Sequence, residues 1–235
     1  SDQWGNITTG TELVRRMNDE HAKAFAMTCP LITKADGSKF GKSEGGNIWL
    51  TADKTSVYKF YQFWLNTTDI DAEKYIKIFT FLDKETIESL IATHHEAPHM
   101  RVLQKRLAEE VTVLVHGKEE FEKAVFASGA FFSPTMDDLK QLDEKTFIEV
   151  FDGVPSATIS KQDIAEGLDM IAALSAKTGF LASNSDARRE LKQNAISLNK
   201  QKVGEEYKIT PSDLINDKFI VLQKGKKNYY LLIVS

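Results

Sequence analysis

Val102-Leu-Gln-Lys-Arg-Leu-Ala-Glu-Glu-Val-Thr-Val-Leu-Val115 carries apolar side chains at 102, 103, 107, 111, 114 and 115. Steps of three and four residues draw one stripe along a helix. Gly117 stops that helix, and a further one is expected from Glu119 to about Ser128. Upstream the spacing recurs in Val57, Tyr61, Trp64 and Leu65, then in Tyr75, Ile76, Phe79 and Leu82, then in Thr86, Ile87, Leu90 and Ile91. Lys54 to about Phe132 therefore predicts a compact helical bundle whose stripes are core, not chemistry.

Downstream the period changes. Ser133-Pro134 opens a less regular connector through Pro155. Ile164 to Ala176 reads as a helix ended by Gly179, and Ser185 opens a shorter helix over Asp186 to Gln193. Ala195 to Leu198 reads as a strand and Asn199 to Lys202 as a turn. Phe219 to Lys224, a turn at Gly225 to Asn228, and Tyr229 to Val234 predict a terminal β-hairpin. The fold class is mostly α with a C-terminal α+β module.

On the N-terminal side, Thr9 to about Ala24 predicts an amphipathic helix, with Leu13 and Met17 on one face. Phe25 to Thr33 is β-compatible, with Pro30 at a strand end or edge. Lys34 to Asn47 holds four glycines and Lys34, Lys39 and Lys42, and reads as a basic loop.

The chain has 235 residues, 42% apolar and 27% charged, which excludes collagen, long disorder and a disulfide-stapled miniprotein. Apolar runs as short as Leu231 to Val234 cannot span a bilayer, and lone Cys29 fits a reducing compartment. The opening Ser1-Asp-Gln-Trp-Gly5 does not read as a secretory leader; an abrupt start in a turn-rich segment suggests a cut inside a larger fold. Net charge is −4, but residues 160–235 hold 12 basic and 9 acidic side chains, +3, leaving −7 on the remainder. A basic end on an acidic body suits an anionic partner.

Two motifs imitate known chemistry. His95-Glu-Ala-Pro-His99 has zinc-protease spacing, but Pro98 would break the helical turn that must put both imidazoles on one face. Pro98 is expected to open the next helix instead, so no metal site is expected here. Gly37-Ser-Lys-Phe-Gly41-Lys42-Ser43 is one residue short between its glycines for a P-loop, and no long apolar helix follows it directly.

The same loop, Lys39-Phe-Gly-Lys-Ser43, resembles the KMSKS signature of class I aminoacyl-tRNA synthetases, in the KFGKS form of bacterial tyrosyl-tRNA synthetases. Ser1-Asp-Gln-Trp-Gly-Asn6, Ala35-Asp-Gly37, Ile48-Trp-Leu50, Tyr61-Gln-Phe-Trp64, Leu107 to Thr112 and Val115-His-Gly117 are similar to the family's flanking segments. Ser183 to Asn199 resembles the S-four-like RNA-binding module, and Lys226-Lys-Asn-Tyr-Tyr230 the family's C-terminus. The likeness covers the whole chain and is to the family's C-terminal portion; no HIGH-type ATP motif or tyrosine pocket is present in these residues.

The resemblance implies four segments: residues 1–50 as the end of a Rossmann-like catalytic domain with its signature loop at 39–43, 51–132 as a helical anticodon-binding domain, 133–159 as a connector, and 160–235 as the RNA-binding module. It implies that Lys39, Lys42 and Ser43 act on the phosphates of ATP, used with Mg2+, and that Asp2 and Gln3 sit by the ribose and the reacting carboxyl. Ser185, Arg188, Arg189, Lys192, Lys200, Lys202, Lys224, Lys226 and Lys227 would face tRNA(Tyr). It also implies a homodimeric, cytoplasmic parent enzyme without membrane attachment, and a chain that alone binds tRNA without catalysing. A stand-alone RNA-binding protein that has lost catalysis is the alternative.

Overall fold

The computed structural model describes residues 2–18, 21–28, 30–38, 40, 42–43, 46–133, 135–225 and 228–235; for Asp2, Lys42, Ser43 and Gly46 it describes the backbone alone. The chain divides into two compact units, Ser1–Lys42 and Ser43–Ser235.

The first unit contains α1 (Asp2–Met17), a helix that starts and ends earlier than Thr9 to Ala24. The threonines near its start are accommodated within it. The Thr8 and Thr9 hydroxyls donate to Gly5 O at 3.1 and 2.7 Å, so they join the helix rather than compete with it. Trp4, Gly5 and Asn6 thus lie inside a helix, not in the expected turn. Phe25 to Thr33 forms no extended ladder among the described residues; Thr33 alone makes a bridge. A turn follows, in which Lys34 N donates to Ser38 O and Gly37 N to Lys34 O, both at 2.9 Å. Gly37 takes φ +81°, and the Asp36 carboxylate accepts the Ser38 amide at 2.9 Å. Bonding to the Ser38 hydroxyl and amide holds the Asp36 pKa below its ordinary value. Two-residue strands β1 (Lys42–Ser43) and β2 (Gly46–Asn47) occur where a loop is expected.

The second unit opens with the bundle: α2 (Val57–Leu65), α3 (Asp69–Phe79), α4 (Lys84–Glu96), α5 (Val102–His116) and α6 (Lys118–Ala130). Polar caps set the starts of three of them. Ser56, Thr68 and Asp83 accept from Lys59 N, Asp71 N and Thr86 N at 3.2, 3.2 and 2.8 Å. α5 is central, packing against α2, α3, α4 and α6. Its Leu103, Leu107 and Val111 are buried with Phe60, Trp64, Tyr75 and Ile76, whereas Leu114, read as part of the stripe, is exposed. Gln104, Ala108 and Thr112 complete the buried face instead. Gly117, at φ +88°, is the corner between α5 and α6.

The connector carries α7 (Asp137–Lys140), α8 (Glu144–Val150) and β3 (Ser156–Ile159). Beyond it lie α9 (Lys161–Ala165), β4 (Leu168–Asp169), α10 (Met170–Leu174) and α11 (Asn184–Lys192). The single helix expected over 164–176 is split because Gly167 adopts φ +83° and Asp169 then caps a new helix through Ile171 N and Ala172 N at 2.9 and 3.1 Å. Then come β5 (Ile196–Leu198), β6 (Gln201–Lys202), β7 (Lys208–Ile209), β8 (Phe219–Lys224) and β9 (Asn228–Val234).

β3, β9, β8, β5 and β6 form one sheet in that order, with β3 parallel to β9 and the other pairs antiparallel. In β8, Ile220 and Leu222 join a core with α9, α10 and α11, while Phe219 and Val221 join a second core with Leu139, Phe147 and Phe151. β9 alternates likewise, Leu232 and Val234 on one side and Leu231 on the other. Both sheet faces are covered, which is why Phe219-Ile-Val-Leu222 is a continuous apolar run.

Candidate nucleic-acid interface

Asn199 and Lys200 occupy the turn between β5 and β6 with φ +46° and +65°, the pair of positive values that a two-residue hairpin turn requires. Asn199 is suited to it and is pinned on both sides. Its Nδ2 donates to Asp213 O at 2.6 Å, and its Oδ1 accepts from Val221 N at 2.9 Å. The turn aims Lys200 at the end of α6, where Nζ donates to Ala130 O at 3.3 Å, Phe131 O at 3.0 Å and Ser133 O. Burial pushes this ammonium's pKa down. A cation among the last carbonyls of a helix is a C-terminal cap.

α11 presents the other cations. Ser183 caps it, accepting from Asp186 N at 3.1 Å, while Ala187 and Leu191 enter the core. Ser185, Arg188, Arg189 and Lys192 then stand on the exposed side and line, with Gln193, a shallow depression of about 390 Å3. Carboxylates orient the arginines: Arg188 Nε lies 3.2 Å from Glu205, and Arg189 Nη2 2.7 Å from Asp186 and 3.6 Å from Glu190. Glu190, only 9% exposed, also holds Lys224 Nζ at 3.1 Å, linking the hairpin to the basic helix. Sequence reading misses Glu190; its one signal is a lone acid flanked by Arg188, Arg189 and Lys192. Lys202 is exposed on β6, at the sheet edge.

The structure therefore gathers Ser185, Arg188, Arg189, Lys192 and Lys224 around one helix and sets Lys200 apart from them. Lys226 and Lys227 lie outside the described residues, as does Lys39, and nothing is described of the side chains of Lys42, Ser43 and Asp2. Gln3 is exposed on the first turn of α1, its Oε1 accepting from Asn6 Nδ2 at 3.4 Å.

The histidine cluster has a structural reading. α4 stops at Glu96, and Pro98 opens a short 3-10 turn before α5. His94 is buried, its Nε2 3.0 Å from Asp69 Oδ1, and Gln104 Nε2 donates to the same oxygen at 2.6 Å. His95 pairs with Glu73 at 2.5 Å. The Gln104 and His94 bonds lower the Asp69 pKa. Among the described residues no three His, Cys, Asp or Glu are gathered as a metal site, and no helix is long and apolar enough to cross a membrane.

Residues 1–133 match the family of class I tRNA synthetases (W and Y), and residues 146–232 match the tyrosine–tRNA ligase SYY-like C-terminal domain. The tyrosine–tRNA ligase of Flavobacterium johnsoniae is 68% identical over 235 residues, covering 100% of this chain and 54% of its own length. That of Bacteroides fragilis (strain ATCC 25285) is 56% identical over 237 residues, covering 100% of this chain and 55% of its own. The chain spans about half the length of these curated relatives.

Proposed function

The chain belongs to the class I tRNA synthetases (W and Y), and on that premise we propose that it serves in a tyrosine–tRNA ligase, as the part that closes on ATP and holds the tRNA. The observation that carries this reading is the succession of the two family matches, with Lys39-Phe-Gly-Lys-Ser43 inside the first and the basic face of α11 inside the second. The ligase joins tyrosine to the α-phosphate of ATP, releasing pyrophosphate, and then transfers the tyrosyl group to the 3′ end of tRNA(Tyr).

The first step needs no protein nucleophile, so the protein contributes position and charge. Lys39 and Lys42 neutralise the β,γ-phosphates of magnesium-bound ATP as charge grows on the leaving pyrophosphate, and Ser43 donates a hydrogen bond there. Asp2 accepts from the ribose and Gln3 lies by the tyrosine carboxyl. The parent acts as a cytoplasmic homodimer. This chain alone binds tRNA and does not activate tyrosine. Residues 1–50, 51–132, 133–159 and 160–235 are its catalytic end, anticodon-binding bundle, connector and RNA-binding module.

The RNA footprint is Ser185, Arg188, Arg189, Lys192, Lys202 and Lys224, extended by Lys226 and Lys227. Lys200 is left out because its ammonium already serves three carbonyls. About four neutralised phosphates give log K against log salt a slope of about −3 to −4. ATP–pyrophosphate exchange with tyrosine tests the catalytic assignment. The full gene product should exchange, this chain should not, and Lys42→Ala in the full product should cost about a hundredfold or more in single-turnover activation. An unchanged activation rate refutes the role of Lys42, and salt-independent tRNA binding refutes the footprint.

A further inference from the structure

Beside the β8–β9 hairpin lies a cleft of about 640 Å3. Phe131 and Phe132 enter it from beyond α6, Pro155 from the start of β3, Phe180 from the loop before α11, and Lys224 and Tyr229 from the hairpin. Its aromatic walls are fixed by packing: Phe131 stands 4.8 Å from the Tyr229 ring and 5.2 Å from Phe132, and Phe180 stands 5.2 Å from Tyr230. Gln223 Nε2 donates to the Tyr229 hydroxyl at 3.1 Å, which orients that ring. Phe132 is the exception to the local economy of burial. It is 81% exposed, so folding gains little from it.

The polar surroundings favour one kind of occupant. Among the described residues, Lys224 is the only charged one on the walls, and no acid lines them. Its ammonium is held by Glu190, whose carboxylate also faces Arg189 on the basic side of α11. Aromatic cleft and cationic helix thus meet at one buried carboxylate. An apolar peptide would use the rings but not the cations; a folded duplex would use the cations but not the rings. A nucleotide with its base unstacked uses both, because bases stack on aromatic side chains while Lys and Arg take phosphates.

We propose that this cleft takes an unpaired base of a bound RNA, stacked on Phe132, while Lys224 holds an adjoining phosphate. The proposal rests on the RNA-binding reading above. Ring faces dominate the walls, with Asn228 the one amide side chain among the described lining residues, so stacking admits any base and favours the larger purines.

The test uses the whole chain and a tRNA(Tyr) transcript, with affinity measured across a salt series. Phe132→Ala should weaken binding about tenfold and leave the salt slope unchanged, because a stacking contact releases no counterions. Phe132→Trp should retain wild-type affinity. Lys224→Gln should weaken binding and reduce the slope, by less than the full unit of an unpaired lysine because Glu190 already pairs this ammonium. A single-stranded oligonucleotide carrying 2-aminopurine should be quenched by the wild-type chain and by Phe132→Trp, and not by Phe132→Ala. Phe132 is exposed, so the melting temperature of Phe132→Ala reports separately that the fold is intact. Wild-type affinity in Phe132→Ala overturns the cleft assignment and leaves the phosphate footprint standing, as does an equal loss in Phe132→Trp. If the wild-type chain fails to bind the transcript, the RNA-binding reading itself falls, and this proposal with it.

Discussion

Lys200→Met separates two roles for one cation. In the structure the ammonium bridges Ala130 O, Phe131 O and Ser133 O at the end of α6, so the substitution strips three carbonyls of a charged donor. Hydrogen bonds to charged groups are worth about 1.5–3 kcal/mol, and a cation at a helix C-terminus adds about 0.3–1 kcal/mol. Lys200 is half-buried, so water re-solvates part of what is lost, and its burial already penalises the charge. A net loss of about 2 kcal/mol follows, and for a unit of this size it lowers Tm by about 4–8 °C. Calorimetry on the whole chain reads that shift, and tRNA titrations across salt read the other role. A capping lysine leaves the salt slope as it is in the wild type. Lys200→Met with an unchanged Tm and a slope reduced by about one would refute the capping assignment and return Lys200 to the phosphates.

Phe147 is fully buried and stacked 4.9 Å from Phe151 and 4.6 Å from Phe219, so Phe147→Ala should cost about 3–5 kcal/mol, seen as a lower urea midpoint and weaker RNA binding together. His116 packs edge-on to Phe60 at 4.8 Å, and its Nε2 has no hydrogen-bond partner among the described residues. Burial lowers its pKa from 6.5, so the unfolded chain takes up this proton first as pH falls. Stability is therefore lost below about pH 6.5, and His116→Phe should flatten the melting curve against pH in that range. Glu205 orients Arg188 at 3.2 Å, so Glu205→Gln should free that guanidinium and steepen the salt slope of tRNA binding, read by the same titrations.

Much of this fold is legible in the sequence because several signals agree. The stripe Leu103, Leu107, Val111 and the glycine at 117 locate α5 and its corner, and the structure buries those three side chains. The terminal hairpin is legible because Phe219 to Leu222 is apolar at every position, as a strand covered on both faces must be. β3 is not: four residues, Ser156 to Ile159, gain their meaning only from parallel pairing with Leu231 to Val234, some 75 residues on. α8 hides similarly, its Phe147 explained by a sheet that the chain has yet to form. At the interface, the types Arg188, Arg189 and Lys192 at helical spacing announce a basic face. Lys200 has the same composition-level signature and a different use, and a positive φ followed by a long side chain is what redirects it.

The cations of the terminal module divide by where their counter-charges sit. Lys200 serves the carbonyls after α6, Lys218 pairs with Glu144, and Lys177 pairs with Asp163 at 2.7 Å, lowering that carboxyl's pKa. The first two fasten the module to the helices before it. Arg188, Arg189 and Lys224 are paired as well, but with Glu205, Asp186 and Glu190, carboxylates of the module itself. Those contacts fix guanidinium and ammonium directions before any ligand arrives, which reduces the ordering cost of binding. They also partly neutralise the face in advance, so each contacted phosphate releases less salt than a bare lysine would allow. Affinity then has to come from shape and stacking as well as from charge. On the cleft proposal, exposed Phe132 supplies that contribution, on walls it shares with Lys224, whose ammonium also pairs with Glu190 of α11.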